Sequence, residues 1–289
     1  PLAWLNHLHW DDQVERRPDL RPLIFSRYGG LGAGRHPIGF SGDTWAVWDS
    51  LAFQPEVTAT AANVLYGYWS HDVGGHFGVD PEPDGELYAR WLQLGAHSPV
   101  LRTHGTLGLR EERRVWEYPN PYRDVMVEAI RRRYEMVPYL YGEARRGVES
   151  GLSLVRPMYH EHPGLDAAYR APGQFHLGAD LVVAPVVAPR GDDATAEVRV
   201  WLPPGGWHDV ALGRLVTVDD ERGRWITGRY LLDEVPTFAR VGAVVPGQRG
   251  AMRLDAACYP NLVLTAHPGG DGHHDLYEDD GTSQGYLDG

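Results

Sequence analysis

The sequence predicts an α/β fold: the C-terminal half of a (β/α)8 TIM barrel, followed by a small β-sandwich domain and the start of a second β domain. Up to about residue 180, short apolar runs alternate with helical patterns, which is typical of parallel β/α units. Polar side chains end these runs, as they do where the strands of such a barrel form an active site. Beyond residue 180, short β-type runs are separated by glycine and proline. We therefore divide the chain into a barrel part, 1–180, a proximal sandwich, 181–247, and a truncated distal β domain, 248–289.

The barrel part has four predicted strands, as expected for half of an eight-stranded barrel. The strands cover residues 22–27, 65–70, 99–102 and 152–159. The helices cover residues 2–15, 48–65, 86–94, 121–149 and 174–181. A doubly wound sheet would also place a ligand at strand ends, but no Gly-x-Gly-x-x-Gly run follows a strand. The pattern therefore favours the barrel.

The β-type runs of the proximal sandwich cover residues 181–186, 197–202, 215–218 and 241–245. Glycine and proline between them are typical of turns in an antiparallel sheet. A further β segment begins near residue 250. Because the chain opens directly into a helical pattern and stops soon after a turn-like stretch at 277–281, we expect it to be a piece of a longer protein.

Composition and charge exclude several classes of function. The 289 residues carry a net charge of −12, which disfavours a surface that follows nucleic-acid phosphates. No apolar run approaches the roughly 20 residues of a membrane-spanning helix, so we expect neither nucleic acid nor membrane as a partner. The single cysteine, Cys258, excludes an intrachain disulfide framework and a cysteine-rich zinc site. The 10 Trp and 15 Tyr offer rings that can stack on sugars, although most of them are expected to fill the core.

Asp43 lies in a glycine-flanked turn, Phe-Ser-Gly-Asp-Thr-Trp at 40–45, before a predicted helix. Its carboxylate could cap that helix by accepting hydrogen bonds from free backbone N–H groups. It could also act as a general acid, kept protonated by the apolar neighbours Phe40 and Trp45. Spacing alone favours the cap and leaves both interpretations open.

The other candidates are polar residues at strand ends: Arg27, His71, Asp72, His76, Arg102 and His104. Two histidines and an aspartate in the run 71–76 suggest a metal site, but such sets arise easily by chance in a chain with 14 His. Alternatively, Asp72 binds hydroxyl groups while the glycines after it allow close backbone approach. From residue types alone, these clusters indicate a polar pocket and do not name a reaction.

Several runs resemble glycoside hydrolase family 31, and they occur in the family's order over nearly the whole chain. They include Phe-Ser-Gly-Asp at 40–43, His-Asp-Val-Gly-Gly at 71–75, Arg-Thr-His at 102–104 and Leu-Tyr-Glu-Asp-Asp-Gly at 276–281. The runs at 21–27, 34–35, 86–96, 133–141, 156–158 and 177–186 fit the same pattern. The family consists mainly of α-glucosidases and α-xylosidases built on a (β/α)8 barrel with proximal and distal β domains.

The resemblance implies a role for each site residue. Asp43 corresponds to the catalytic acid/base. Four residues correspond to positions near the sugar in the −1 subsite: Arg27, Asp72, Arg102 and His104. Three more are expected to line the wall of that subsite: Phe40, Trp45 and His76. The sequence departs from the family at His76, where relatives often carry phenylalanine, and at Thr44, where asparagine is commoner.

The resemblance also implies a retaining mechanism without metal or organic cofactor, acting on an oligosaccharide or another α-glycoside. The family nucleophile is an aspartate on an earlier strand, and no residue here is equivalent to it; Asp11 and Asp12 lie in the first predicted helix. We therefore expect residues 1–289 alone to be inactive. An inactive sugar-binding relative, a transglycosylase on the same scaffold and, more remotely, a metal-dependent hydrolase using His71, Asp72 and His104 are the alternatives.

Overall fold

The first part of the chain is built on parallel strand segments that lie side by side in chain order. A computed structural model describes residues 2–27, 30–79, 82–107, 112–250, 253–254 and 259–287. Strand β1 (Gly39–Phe40) pairs in parallel with β2 (Trp69–Ser70), and isolated parallel bridges join Ser26 to Gly39 and Val73 to Thr103. Four neighbouring parallel segments therefore bring the ends of successive strands to one edge.

Helices follow these segments and supply most of the core. They are α1 (Asp11–Arg16), α2 (Trp48–Thr60), α3 (Gly85–Ala96), α4 (Tyr122–Glu135) and α5 (Val137–Ser150), and a π-helical segment, Trp4–Trp10, leads into α1. The side chain of Asp84 caps α3 by accepting a hydrogen bond of 3.0 Å from Leu87 N. Trp91 and its helical neighbours are fully buried against α4, so α3 is the central helix of the barrel part.

The long helix predicted over 121–149 is two helices. α4 ends at Glu135, and α5 begins at Val137 with Pro138 in its first turn. Proline lacks the N–H that a continuous helix needs and is favoured in a first turn, so it marks the break. The predicted helices over 2–15, 48–65 and 86–94 are confirmed within a few residues.

The second part is antiparallel. Its strands are β3 (Val155–Arg156), β4 (Phe175–Leu177), β5 (Leu181–Val183), β6 (Ala196–Leu202), β7 (Gly205–Asp209), β8 (Arg214–Val218), β9 (Arg224–Tyr230), β10 (Thr237–Arg240), β11 (Val244–Gln248) and β12 (Leu262–Ala266). One sheet has the order β3-β4-β5-β10-β7-β8, while β6 pairs with β9 and β11 with β12. Trp201 and Phe238 are fully buried between these strands.

Two predictions about the end of the barrel part are wrong. The run 152–159 is not a barrel strand, because β3 pairs antiparallel with β4 in the second part's sheet. The run 174–181 is not a helix but the hairpin of β4 and β5, which turns at Gly178 with φ +61°. An added Cβ there would lie 2.4 Å from the Tyr139 hydroxyl, so the turn requires glycine. This sheet thus crosses the predicted boundary at 180, and the three-part division remains a prediction.

The C-terminal segment packs back onto the start of the chain. Arg21 N donates to Thr282 O at 2.9 Å, and the Arg21 guanidinium contacts Asp279 at 2.5 Å. Burial opposes ionisation of Asp279, but hydrogen bonds from Tyr141, Arg21 and Tyr277 outweigh it and lower its pKa to about 2. Among the residues that the structure describes, no helix has the length and apolar character needed to span a bilayer.

Candidate active site

The ends of the four parallel segments bring the predicted polar residues together. Arg27 Nη1 lies 3.2 Å from Asp43 Oδ1, and Arg102 Nη1 lies 2.5 Å from Asp72 Oδ1. His76 lies between the two carboxylates, with Nε2 3.8 Å from Asp43 Oδ2 and Nδ1 3.5 Å from Asp72 Oδ2. The residues nominated from separate strands therefore form one cluster of charged and polar groups.

Asp43 is not a helix cap. Helix α2 begins at Trp48 with Val47 at its N-cap, and no side chain caps it. The Asp43 carboxylate instead follows Gly42, whose φ is +82°, and it is 32% exposed. A carboxylate that contacts an arginine and remains open to solvent can exchange protons with a bound molecule and with water.

Asp72 is fully buried, and this shapes its chemistry. Burial raises its pKa, while the positive charge and hydrogen bond of Arg102 and the nearby His104 and His76 act in the opposite direction. Oδ1 bonds Arg102, whereas Oδ2 has no hydrogen-bond partner within the described part of the chain. Buried acceptors without a partner are uncommon, and His76 Nδ1 lies 3.5 Å from this oxygen.

The aromatic residues fall into two groups. Phe40 is buried, and the Arg102 guanidinium carbon lies 5.0 Å from its ring centre and 4.9 Å from that of Phe25. Phe40 therefore supports the arginine. Trp45 is 56% exposed, and its ring centre lies 5.3 Å from that of Phe77, so its indole face is open to a ligand.

Backbone hydrogen bonds tie three of the site loops together. Thr44 O accepts from His76 N at 2.7 Å and from Phe77 N at 3.0 Å, and Thr106 N donates to His76 O at 2.9 Å. His76 is therefore fixed on both sides of its backbone, once by the Asp43 loop and once by the loop of Arg102 and His104.

Arg113 belongs to the site, and sequence reasoning missed it. It donates to Gly74 O at 2.7 Å, to Gly75 O, and to His104 O at 3.1 Å, with its guanidinium carbon 5.2 Å from the Tyr88 ring centre. Its partners are backbone carbonyls from two site loops. Residues 112–114 are all charged and thus look like a solvated stretch, so no sequence signal distinguishes Arg113 from its neighbours.

The donor atoms of Asp72, His76 and His104 lie within 4.8 Å of one another, so their spacing would allow them to approach one metal ion. Burial and the positive charge of Arg102 lower the pKa of His104. His71, named for the metal alternative, is not in this group; it is fully buried, and burial lowers its pKa to about 4, which keeps it neutral at neutral pH. Because Arg102 already neutralises Asp72, we keep the prediction that no metal is used.

Comparisons with known proteins place the chain in a family. The model of the glycosyl hydrolases family 31 TIM-barrel domain matches residues 1–143, and that of the glycosyl hydrolase family 31 C-terminal domain matches residues 151–245. An α-xylosidase of Saccharolobus solfataricus is 31% identical over 93% of this chain and 36% of its own. The lysosomal α-glucosidase of Bos taurus is 29% identical over 93% of this chain and 30% of its own. The chain thus spans about a third of the length of these relatives.

Solved structures give the same result. A family 31 dextranase of Flavobacterium johnsoniae, complexed with glucose, superposes with a TM-score of 0.85 at 29% identity, covering 96% of this chain and 35% of that one. A family 31 α-xylosidase from Xanthomonas citri gives a TM-score of 0.86 at 28% identity, covering 99% and 31%. These matches confirm the predicted fold class, a C-terminal barrel part followed by β structure. The chain belongs to glycoside hydrolase family 31.

Proposed function

We propose that this chain supplies the acid/base half of the active site of a retaining α-glycosidase, most specifically an α-glucosidase that releases terminal α-linked glucosyl or xylosyl residues. The observation that carries the proposal is the position of Asp43: a solvent-accessible carboxyl group at a strand end, held by Arg27 in one cluster with Asp72, His76 and Arg102. Relatives named α-xylosidase and α-glucosidase support the substrate class.

The reaction has two steps. In the first, the Asp43 carboxyl gives its proton to the glycosidic oxygen, while a second carboxylate attacks the anomeric carbon and the bond to the leaving group breaks. In the second, ionised Asp43 takes a proton from water, whose oxygen attacks the anomeric carbon and releases the sugar with its configuration retained. We assign the second carboxylate to an aspartate on an earlier barrel strand of the same protein, N-terminal to residues 1–289.

The aspartates of the first helix do not suit the second role. Asp11 accepts from His7 at 3.0 Å and Asp12 from Arg16 at 2.7 Å, each one helical turn away. Both carboxylates are thus engaged in local pairs within one helical segment. This arrangement supports a nucleophile located elsewhere.

The remaining site residues bind and orient the sugar. Arg102 and His104 offer donors to ring hydroxyls, and buried Asp72 holds Arg102 in place beside the sugar. Hydrogen bonds of this kind strengthen as positive charge develops on the sugar ring in the transition state. Trp45, with its exposed indole, provides a stacking face for the sugar ring.

Transglycosylation is the second candidate, and the names of two relatives favour it. A 1,6-α-glucosyltransferase and an isomaltosyltransferase of Sporosarcina globispora are 30% and 29% identical to this chain. In a transglycosylase, Asp43 would take its proton from an acceptor sugar hydroxyl instead of water. Chromatography of the products formed at high substrate concentration separates the two: longer oligosaccharides indicate transfer, and free sugar indicates hydrolysis.

The proposal is tested on the complete product of the native gene with aryl α-glucosides and aryl α-xylosides. We expect turnover, with the α-anomer as the first sugar product in time-resolved NMR, and no turnover by residues 1–289 alone. A β-anomer as the first product would contradict retention. A complete gene product that binds α-glycosides without turning them over would indicate a sugar-binding relative.

Replacing Arg113 by methionine is expected to lower kcat/KM by about ten- to a hundredfold. The change removes charged donors from the three site-loop carbonyls of Gly74, Gly75 and His104, each such bond being worth about 1.5–3 kcal/mol. A shift of about 1 Å in a catalytic loop can cost about a hundredfold. The matched control is Arg114→Met: Arg114 is half-exposed and pairs with Glu112 and Glu117, so its loss should change kcat/KM by less than about twofold. Equal kcat/KM values for the two variants would show that Arg113 does not position the loops.

A further inference from the structure

His76 stands between the two carboxylates of the site. Its ring nitrogens face different acids: Nε2 lies 3.8 Å from Asp43 Oδ2, and Nδ1 lies 3.5 Å from Asp72 Oδ2. The side chain is only 14% exposed, so bulk water solvates neither contact fully. An imidazole carries its two nitrogens on one rigid ring, and it can therefore face both carboxylates at once.

Both contacts are slightly longer than a hydrogen bond. Bonds from N–H to oxygen usually measure about 2.7–3.2 Å, so a ring movement of less than about 1 Å closes either one. His76 Nδ1 and Asp72 Oδ2 are both buried, and neither has a hydrogen-bond partner in the described part of the chain. The ring nitrogen is thus a possible donor that lies beside an unpaired carboxylate acceptor.

The ring is held in this place by its surroundings. Its backbone is bonded to Thr44 O and to Thr106 N, and its ring centre lies 4.5 Å from that of Phe77 in an edge-on contact and 4.9 Å from that of His104. The loop before it is fixed by Arg113 through Gly74 O and Gly75 O. The position of His76 between the acids is therefore built into the fold.

We propose that His76 is a positioning residue that couples Asp43 to Asp72. Its Nδ1 donates to Asp72, and its Nε2 stabilises the negative charge that forms on Asp43. The inference rests on the proposed function, because it gives that charge a role in the reaction. When Asp43 passes its proton to the leaving oxygen, the new charge on Oδ2 meets the Nε2 edge of the ring. An imidazolium there has an N–H for each carboxylate, and a neutral ring has a proton for only one.

The charges around His76 determine the sign of the effect. The ring faces Asp43, Asp72 and His104. The nearest other charges are Arg27, which pairs with Asp43, Arg102, which pairs with Asp72, and Arg113, which bonds the backbone before His76. Histidine is the side chain that changes charge near neutral pH. An imidazolium beside a carboxylate favours the ionised form of that carboxylate. Removal of the ring is therefore expected to preserve the acid-catalysed first step to higher pH.

The test is the pH dependence of kcat/KM in the complete gene product, with EDTA present so that no bound ion contributes. His76→Phe removes both the charge and the donors. We expect the alkaline limb of its kcat/KM profile to lie about one pH unit higher than in wild type. A unit charge about 4 Å away has an effect of this size when the effective dielectric constant lies between those of protein and water. His76→Gln keeps an N–H donor without the charge. It should show the same displacement of the limb with a smaller loss of kcat at the optimum.

A purely structural role would lower kcat at every pH and leave the limb in place, so limbs that coincide with wild type in both variants overturn the inference. NMR titration of the Asp43 carboxyl with 13C-labelled aspartate, assigned with Asp43→Asn, gives an independent answer that needs no substrate. Its midpoint should rise by about one unit in His76→Phe and His76→Gln. If the wild-type protein turned over no glycoside, the proposed function would fail, and this titration would still decide whether His76 acts on Asp43.

Discussion

Asp43→Asn is expected to lower kcat/KM by about 10²–10⁴-fold for an α-glycoside with a poor leaving group, such as a disaccharide. Asparagine fills the same space and can still contact the neighbouring polar groups, but it cannot donate a proton to the glycosidic oxygen or accept one from water. General acid–base catalysis contributes about this much to enzymatic rates. Steady-state kinetics on the complete gene product measures the loss.

The dependence on leaving group identifies the role of Asp43. A leaving group that departs without protonation, such as fluoride or dinitrophenolate, should restore the first step, so the loss in kcat/KM should be much smaller for such a substrate. Azide should then accelerate turnover, because it attacks the intermediate without needing a general base, and it should give a glycosyl azide with retained configuration. The matched control is Asp49→Asn, an exposed aspartate in the first turn of α2, which should leave kcat/KM unchanged. Equal losses on good and poor leaving groups, without an azide product, would mean that Asp43 binds substrate and does not transfer protons.

The sequence was most informative where chemistry is tied to strand ends. Asp72 and Arg102 lie at the ends of separate apolar runs, and parallel strands bring such ends to one edge. That the two side chains meet, as they do at 2.5 Å, could therefore be predicted from the sequence. The role of Asp43 was less accessible, because the turn that contains it also suits a helix cap. Only the family resemblance favoured an acid/base, and the structure excludes the cap.

The errors have identifiable physical causes. Strand β1 has two residues, too few to show any periodicity, and it was missed. The buried segment around Val155 and Arg156 reads the same in a parallel or an antiparallel sheet, because pairing partners are not encoded in a short apolar run. Arg113 donates to backbone carbonyls, which every residue possesses. The sequence therefore contains no complementary side chain that would indicate its role. The break in the helix at 121–149 could have been predicted from Pro138.

Arg90→Met is expected to destabilise the protein by about 3 kcal/mol or more, since it leaves buried carbonyls without charged donors. Arg90 is fully buried in α3, and its guanidinium donates to the carbonyls of Leu231, Leu232 and Glu234, each at 3.0 Å. Burial lowers its pKa to about 10, and it is therefore still charged at neutral pH. Thermal and urea unfolding of the complete gene product measures the change, with Arg131→Met on the exposed side of α4 as the matched control, expected within about 0.5 kcal/mol of wild type.

The position of Arg90 gives this prediction a second, more specific consequence. The three carbonyls belong to the loop between β9 and β10, so one side chain of the barrel part fixes a loop of the antiparallel part. Gln93 adds one bond to the same loop, at 2.8 Å to Leu232 O, and it cannot replace a charged group with several donors. In Arg90→Met, protease cleavage should therefore appear first within 231–234, at denaturant concentrations where α3 is still protected from hydrogen exchange. The contrary result is that the loop and α3 lose protection from hydrogen exchange together, and by no more than they do in Arg131→Met. That result would mean that packing of the apolar core, and not Arg90, holds the barrel part against the antiparallel part.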